Sequence, residues 1–83
     1  MYEVLFSKKA GKFIRSLQEG YREKLKDITK QLEENPFSYP YKKIRGETNL
    51  YRIRLGKYRI LFEINDNERK VIILKVDARG QIY

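Results

Sequence analysis

The stretch Leu50 to Ile64, Leu-Tyr-Arg-Ile-Arg-Leu-Gly-Lys-Tyr-Arg-Ile-Leu-Phe-Glu-Ile, decides the fold because it predicts a β-hairpin. Two runs of alternating apolar and polar residues flank Gly56-Lys57, and a glycine at the first loop position suits a type II′ turn. Pairing the strands across this turn sets Arg54 opposite Arg59. Side chains alternate between the two faces of a strand. One face is therefore a core, formed by Tyr51, Ile53, Leu55, Tyr58, Ile60, Phe62 and Ile64.

The opposite face of the hairpin carries three arginines, Arg52, Arg54 and Arg59. Like charges directly across a ladder destabilise it by roughly a few tenths of a kcal/mol, so folding alone would favour Glu or Thr at one of these positions. A guanidinium presents a rigid fork of donors that fits phosphate oxygens. A solvated face on which arginine blunts a sheet edge is the simpler interpretation. Three clustered arginines favour an anion site on an exposed sheet face.

Composition and charge point to one small domain, residues 1–83, with a polyanionic partner. The chain has 83 residues and a formal net charge of +8, and this length suffices for a single small core. Seven basic residues and one acid lie between Lys42 and Arg59. Such a patch favours nucleic acid. A membrane surface is the weaker alternative, because the charges lie on predicted strands and not on an amphipathic helix.

Several classes of chemistry are excluded by residues that the sequence lacks. Without cysteine or histidine there is no disulfide, no thiolate metal site, no cysteine nucleophile and no histidine base. No phosphate-binding glycine loop and no metal-ligand spacing is present, so no cofactor is expected. The first residues lack the features of a signal peptide, and the longest aliphatic run, Val71 to Leu74, is too short to span a membrane. We therefore expect a cytoplasmic protein.

The remaining segments predict an α+β domain of order β-α-α-β-β-β-β, with a helical hairpin on one face of a small, mainly antiparallel, twisted sheet. Outside the hairpin, the predicted elements are a strand at Tyr2–Phe6, a helix from Lys8 to about Gln18 that ends at Gly20, a helix from Tyr21 to Asn35-Pro36, a short strand at Lys42–Arg45 and a last strand at Lys70–Val76.

Two segments invite a functional interpretation. The loop Pro36–Tyr41 holds three aromatic residues; its rings could stack on bases, but packing over the edge of the core is the preferred interpretation. The last strand is apolar on both faces, which suggests that a partner covers the second face.

The motif Lys43-Ile44-Arg45-Gly46, followed by the segment from Leu50 to Ile60, strongly resembles the RelE/ParE superfamily of toxins from toxin–antitoxin systems. The resemblance extends over nearly the whole chain and includes the first strand, the helix pair and a late arginine followed by an aromatic residue. It implies the RelE fold. RelE-type members cut mRNA in the ribosomal A site, whereas ParE-type members share the fold and poison DNA gyrase.

The resemblance also implies site residues. RelE-type toxins place basic residues on the two central strands, an arginine near the C-terminus and a tyrosine after it, and all these positions are filled here. The implied catalytic residues are Arg52, Arg54, Arg59, Arg79 and Tyr83, and the basic residues Lys42, Lys43, Arg45 and Lys57 would contact RNA.

Two departures from the family leave the general base unassigned. Some RelE-type toxins have lysine where this chain has Arg52 and Arg54, and arginine is not deprotonated in proteins. Many relatives have a basic residue before the late arginine, where this chain has Ala78. The candidates for the base are Tyr83, Tyr51, Lys57 and Glu63. The 2′-hydroxyl of RNA supplies its own nucleophile, so positioning and arginine-based charge stabilisation could carry the reaction.

Three functions therefore remain in competition. The first is a metal-independent, ribosome-dependent mRNA endonuclease that a cognate RelB-like antitoxin neutralises. The second is a ParE-like toxin that inhibits gyrase without nuclease activity. The third is a non-catalytic RNA-binding module. The five filled positions favour the first.

Overall fold

A computed structural model of the protein describes residues 1–38, 41–44, 46 and 49–78. In chain order, the elements are β1 (Glu3–Phe6), α1 (Lys8–Arg15), α2 (Glu19–Glu34), β2 (Lys42–Lys43), β3 (Leu50–Leu55), β4 (Tyr58–Asn65) and β5 (Lys70–Ala78). This order confirms the β-α-α-β-β-β-β prediction.

The sheet has five strands in the order β1-β5-β4-β3-β2. β1 pairs with β5 in parallel, and the other three pairings are antiparallel. The predicted hairpin register is confirmed, with Arg54 opposite Arg59 and Ile53 opposite Ile60. Gly56 has φ +60° and Lys57 does not have a positive φ, as a type II′ turn requires. A Cβ on Gly56 would lie 3.1 Å from the ring of Tyr21, so a side chain at this position would also require that ring to shift.

The helix boundaries differ from the prediction at Gly20. Ser7 caps α1 by accepting a hydrogen bond from the Ala10 amide at 3.0 Å, but α1 ends at Arg15 and Gly20 lies inside α2. The hydroxyl and the amide of Ser16 both donate hydrogen bonds to the Phe13 carbonyl. These bonds satisfy a carbonyl at the C-terminus of α1, so the helix ends earlier than predicted. Glu19 then lies in the first turn of α2, where the helix dipole stabilises a carboxylate.

Both helices pack on one face of the sheet, here called the helix side. The core contains Leu25, Ile28 and Leu32 of α2 together with strand residues such as Ile60 and Phe62, and Phe62 is fully buried. A five-stranded sheet covered on one face satisfies the predicted fold class. The opposite face is here called the open face.

Strand β5 contains an irregularity that matters for the site. Its register against β4 shifts between Leu61 and Phe62, because Leu61 pairs with Lys75 while Phe62 pairs with Ile73. Leu74 is thus an extra residue in the ladder, a β-bulge. β5 also continues to Ala78, two residues past the predicted end at Val76. This extension sets Asp77 directly opposite Arg59.

The aromatic loop after α2 packs as the sequence predicted, over the edge of the core. Pro36 is buried, and the rings of Phe37 and Tyr41 lie edge-on to Tyr51, with centroids at 6.2 and 5.2 Å. Tyr51 in turn stacks on Phe62 at 5.7 Å. The third aromatic residue of this loop, Tyr39, lies outside the described residues.

Candidate nucleic-acid interface

Cross-strand pairing organises the open face into rows of side chains, because residues directly opposite share a face. One row runs Arg54, Arg59, Asp77 and is here called the arginine row. The next row runs Lys42, Arg52, Leu61, Lys75, and a third runs Leu50, Glu63, Ile72, Leu5. Basic side chains thus occupy one part of the open face and apolar side chains another.

The three hairpin arginines differ in exposure. Arg54 is exposed and Arg52 is half-buried, but Arg59 is only 3% exposed. The expectation that all three arginines lie on an exposed face is therefore wrong for Arg59. A charged side chain at such depth requires a partner of opposite charge.

Asp77 is that partner. The Nε atom of Arg59 lies 3.5 Å from Oδ1 of Asp77, and the Nζ atom of Lys75 lies 3.4 Å from Oδ2. Asp77 is itself 7% exposed. One carboxylate thus holds two cations, and it fixes the position of Arg59 in the middle of the arginine row.

Sequence reasoning missed Asp77 and Lys75. The predicted last strand ended at Val76, one residue before Asp77, and Lys75 lay in a segment interpreted as apolar. A partial signal was present: Lys75 and Asp77 are two residues apart, so a longer strand would set both on one face. Only the bulge at Leu74 sets that face on the side of the arginines.

The structure brings together only some of the predicted RNA contacts. Lys42 pairs with Arg52 on the open face. Lys43 pairs with Tyr51, on the helix side. Lys57 extends toward the helix side as well, with its Nζ 5.5 Å from the centroid of the Tyr58 ring. The predicted residues Arg45, Arg79 and Tyr83 lie outside the described residues.

The four candidates for the general base also do not lie on one face of the sheet. Glu63 lies on the open face, in the row next to Arg52. Tyr51 is stacked on Phe62 at the helix side, Lys57 extends toward the same side, and Tyr83 lies outside the described residues. Within the described part of the chain, Lys75 and Asp77 join Glu63 as titratable groups near the arginines.

The apolar part of the open face lies on β1 and β5. Leu5 pairs with Ile72, and Leu5 and Leu74 are 38% and 37% exposed. This arrangement agrees with the prediction that the last strand presents a second apolar face, although the bulge at Leu74 sets that residue outside the regular alternation.

A tyrosine with a shifted pKa lies away from the arginine row. The hydroxyl of Tyr2 donates a hydrogen bond to Asp66 in the β4–β5 turn. This bond to a carboxylate raises the pKa of Tyr2 above its ordinary value. The contact ties the first residues of the chain to the opposite end of β4 from Arg59 and has no part in the basic face.

The described residues contain no group of three or more His, Cys, Asp and Glu side chains that could hold a metal ion. In the same part of the chain, no helix is both long and apolar enough to cross a membrane.

Two helices on one face of a mixed five-stranded sheet, with arginines on the other, are the architecture of a class of small toxins. The chain matches a chain of the intact E. coli RelBE toxin–antitoxin complex with a TM-score of 0.84 and 28% identity, covering 98% of this chain and 100% of that one. It matches the archaeal RelE–RelB complex from Pyrococcus horikoshii with a TM-score of 0.82 and 28% identity, covering 96% and 97% of the two chains.

Sequence comparisons agree with the fold. The family described as ParE toxin of type II toxin–antitoxin system, parDE, matches residues 4–83. The toxin RelE3 of Methanocaldococcus jannaschii is 34% identical, with 98% of this chain and 94% of that protein covered. The chain belongs to the RelE/ParE superfamily of type II toxin–antitoxin toxins, and the resemblance inferred from the hairpin motif is confirmed.

Proposed function

We propose that this toxin is a ribosome-dependent mRNA endonuclease of the cytoplasm, which uses the 2′-hydroxyl of RNA as its nucleophile and which a cognate antitoxin neutralises. The observation that carries the proposal is the arginine row. Arg54 is exposed on the open face beside Arg59, which a buried ion pair with Asp77 holds in place. A fixed cation beside an accessible one is suited to a phosphate whose charge grows during reaction.

The reaction exchanges one phosphodiester bond for another. The 2′-oxygen attacks the adjacent phosphorus, its proton passes to a base, and a new bond to phosphorus forms. The bond to the 5′-oxygen of the next nucleotide breaks, and that oxygen takes up a proton. The products are a 2′,3′-cyclic phosphate, or the 3′-phosphate after hydrolysis, and a 5′-hydroxyl.

Positioning and electrostatics carry this mechanism. The ribosome would hold the mRNA with the 2′-oxygen in line with the phosphorus. Arg52 and Arg54 would bind the phosphate oxygens. Arg59 and Lys75, two cations that share the carboxylate of Asp77, would add a net positive charge beside them. Such preorganised charge typically contributes a factor of about 10²–10³ per contact. Arg79 and Tyr83, assigned by family resemblance, would stabilise the leaving oxygen and stack on a base.

A RelB-like antitoxin is the proposed partner. Related toxins have been solved in complex with RelB, from E. coli and from Pyrococcus horikoshii. The open face of this chain offers such a partner two kinds of surface, the apolar residues Leu5, Ile72 and Leu74 and the basic residues around Arg54. An antitoxin segment with apolar and acidic side chains would cover both and block access of RNA.

Cleavage on programmed ribosomes tests the proposal. Purified wild-type protein should produce new 5′-hydroxyl ends within the A-site codon of a translated mRNA and should cut the same mRNA poorly without ribosomes. Arg54→Ala should lower the rate by about 10²–10³ because it removes a phosphate contact made in the transition state. Lys26→Ala, at an exposed position of α2, is the matched control and should cut at the wild-type rate.

A gyrase assay on the same preparation separates the family's other activity. The family match is to ParE toxins, so inhibition of gyrase is the competing function. Intact mRNA on ribosomes, together with gyrase trapped on cleaved plasmid, would assign the chain to the gyrase poisons. Equal cleavage by Arg54→Ala and wild type would remove the arginine row from the active site.

A further inference from the structure

A cationic cavity of about 600 Å³ lies at the edge of the sheet beside the arginine row. Its walls include Lys9, Lys12 and Phe13 of α1 and Lys75, Val76 and Asp77 of β5. Asp77 belongs both to this cavity and to the arginine row, so the two sites are contiguous.

The cavity exists because β1 is shorter than β5. β1 pairs only with residues 70–73, from Lys70 to Ile73. At that point the Ser7 amide donates to the Ile73 carbonyl at 2.9 Å and the Ser7 hydroxyl donates to the Leu74 carbonyl at 2.7 Å. These bonds start α1 at the edge of β5. The helix then faces the last part of β5 in place of a strand, and a space remains between them.

The charge of the cavity is positive. Lys9 and Lys12 are three residues apart, so they lie on the same side of α1, and both are exposed. Among the described residues neither lysine has an ion pair. Asp77 is already held by Lys75 and Arg59. An anion that enters therefore meets two lysines that have no counterion among the described residues and a carboxylate whose charge is compensated.

The walls also offer an apolar contact. The half-buried ring of Phe13 and the buried side chain of Val76 line the cavity beside the lysines. Its volume lies in the range of about 300–1,000 Å³ that is usual for small-molecule sites. A nucleotide combines an anionic phosphate with an apolar base face, so it matches both features. An acidic peptide would match the lysines, but its acidic side chains would not provide an apolar group for the wall formed by Phe13 and Val76.

The distance from the arginine row fits a neighbouring nucleotide. Arg54 and Asp77 are two strands apart, which corresponds to about 10 Å at the usual strand spacing. A single strand of RNA bound at Arg54 would therefore reach the cavity within a few nucleotides of the cleaved phosphate.

We propose that this cavity is a second RNA subsite, which takes a nucleotide flanking the cleaved phosphate, with Lys9 and Lys12 on its phosphates and Phe13 against its base. The proposal rests on the proposed function, since it extends the RNA path from the arginine row. Lysine binds phosphate as a point charge without a fixed geometry. The subsite would therefore add affinity for RNA of any sequence.

Binding of a non-cleavable RNA tests the subsite. The probe is a single-stranded oligonucleotide with 2′-O-methyl ribose, measured by fluorescence anisotropy over a series of salt concentrations. The variant is Lys9→Ala with Lys12→Ala, and its control is Lys26→Ala with Lys30→Ala on α2. Both double variants remove two exposed lysines and change the net charge equally. Thermal melting of each should show that the fold is kept.

The cavity variant should bind the probe at least tenfold more weakly than the control. The slope of log K against log salt should flatten by about 1.4, since each lost phosphate contact on a single strand removes about 0.7. The slope of the control should equal that of the wild type. Phe13→Leu, which keeps an apolar side chain, should weaken binding without changing the slope.

Equal affinity and slope in the two double variants would overturn the subsite while the proposed function stands, provided that wild type binds the probe and Arg54→Ala binds it less well. No binding of the probe by wild type would overturn the subsite, and the cleavage assay on programmed ribosomes would still decide the proposed function by itself. If the cavity variant lost affinity only for a glutamate-rich peptide and kept its affinity for RNA, the cavity would be a peptide site and the inference would be wrong.

Discussion

Arg54 and Arg59 face each other across the hairpin, yet the two ends of the arginine row are in different environments. At the β3 end, Arg54 is exposed, and at the β4–β5 end Arg59 is buried with Asp77. The sequence pattern is the same at both positions, an arginine between two apolar residues. The difference comes from the neighbouring strand, because β4 has β5 beside it, whereas the described part of the chain sets only the two residues of β2 beside β3.

Because their burial differs, the two arginines have different roles. An exposed guanidinium can exchange water for a phosphate at small cost. A buried one must be neutralised within the fold, and Asp77 does so while Lys75 shares the carboxylate. Arg59 therefore combines a structural role with its electrostatic one. Substitutions along the row should reveal the difference as a graded series of stabilities.

The largest effect should come from Asp77→Asn. This substitution keeps the shape of the side chain and removes the negative charge that lies beside the buried Arg59, so the free energy of unfolding should fall by about 3–5 kcal/mol. Chemical denaturation at neutral pH measures the change. Asp27→Asn, at an exposed site of α2, is the control and should be within about 0.5 kcal/mol of wild type. A comparably small loss for Asp77→Asn would mean that the ion pair does not hold Arg59.

Arg59→Leu should have an intermediate effect on stability. The buried carboxylate of Asp77 loses one cation but keeps Lys75 at 3.4 Å, and loss of a hydrogen-bonding or charged partner at a buried group costs about 1–3 kcal/mol. The melting temperature should fall accordingly. Combining Arg59→Leu with Asp77→Leu should recover part of the loss, because an apolar pair of similar size often replaces a buried ion pair without penalty. A double variant less stable than either single variant would contradict this account.

The smallest effect should come from Arg54→Leu. It removes an exposed charge that lies opposite another arginine, so stability should stay the same or rise by about a few tenths of a kcal/mol. Cleavage of ribosome-bound mRNA should nevertheless be lost. The two measurements on one preparation distinguish a binding residue from a structural one, and a clear fall in melting temperature would place Arg54 with Arg59.

The sequence predicted the hairpin and its register because alternation and a glycine turn are local features. Helix α1 was assigned from the Ser7 cap and its apolar spacing, although its end was placed too late, since Gly20 was interpreted as a stop and instead lies inside α2. The buried state of Arg59 was beyond local patterns. It depends on β5, whose bulge at Leu74 and extension to Ala78 are consequences of pairing with β4.

For the candidate site, too, the sequence predicted some residues correctly, and the tertiary structure decided where the others lie. Arg52 and Arg54 were predicted from the hairpin alone, and the structure sets them on the open face with Lys42. Lys43 and Lys57 belong to the same basic stretch of sequence, but strand alternation and the turn direct them to the helix side. Charge density along a chain therefore indicates the kind of partner without defining the surface that meets it.

By itself, the sequence determined the elements, the hairpin register and the basic character of one sheet face, because these follow from residue periodicity, turn chemistry and counted charge. The tertiary structure alone decided which arginine is buried, that Asp77 and Lys75 join it, and that a cavity opens between α1 and β5. Those features arise where segments far apart in the chain pack together, because burial and charge pairing depend on contacts between residues that are distant in sequence.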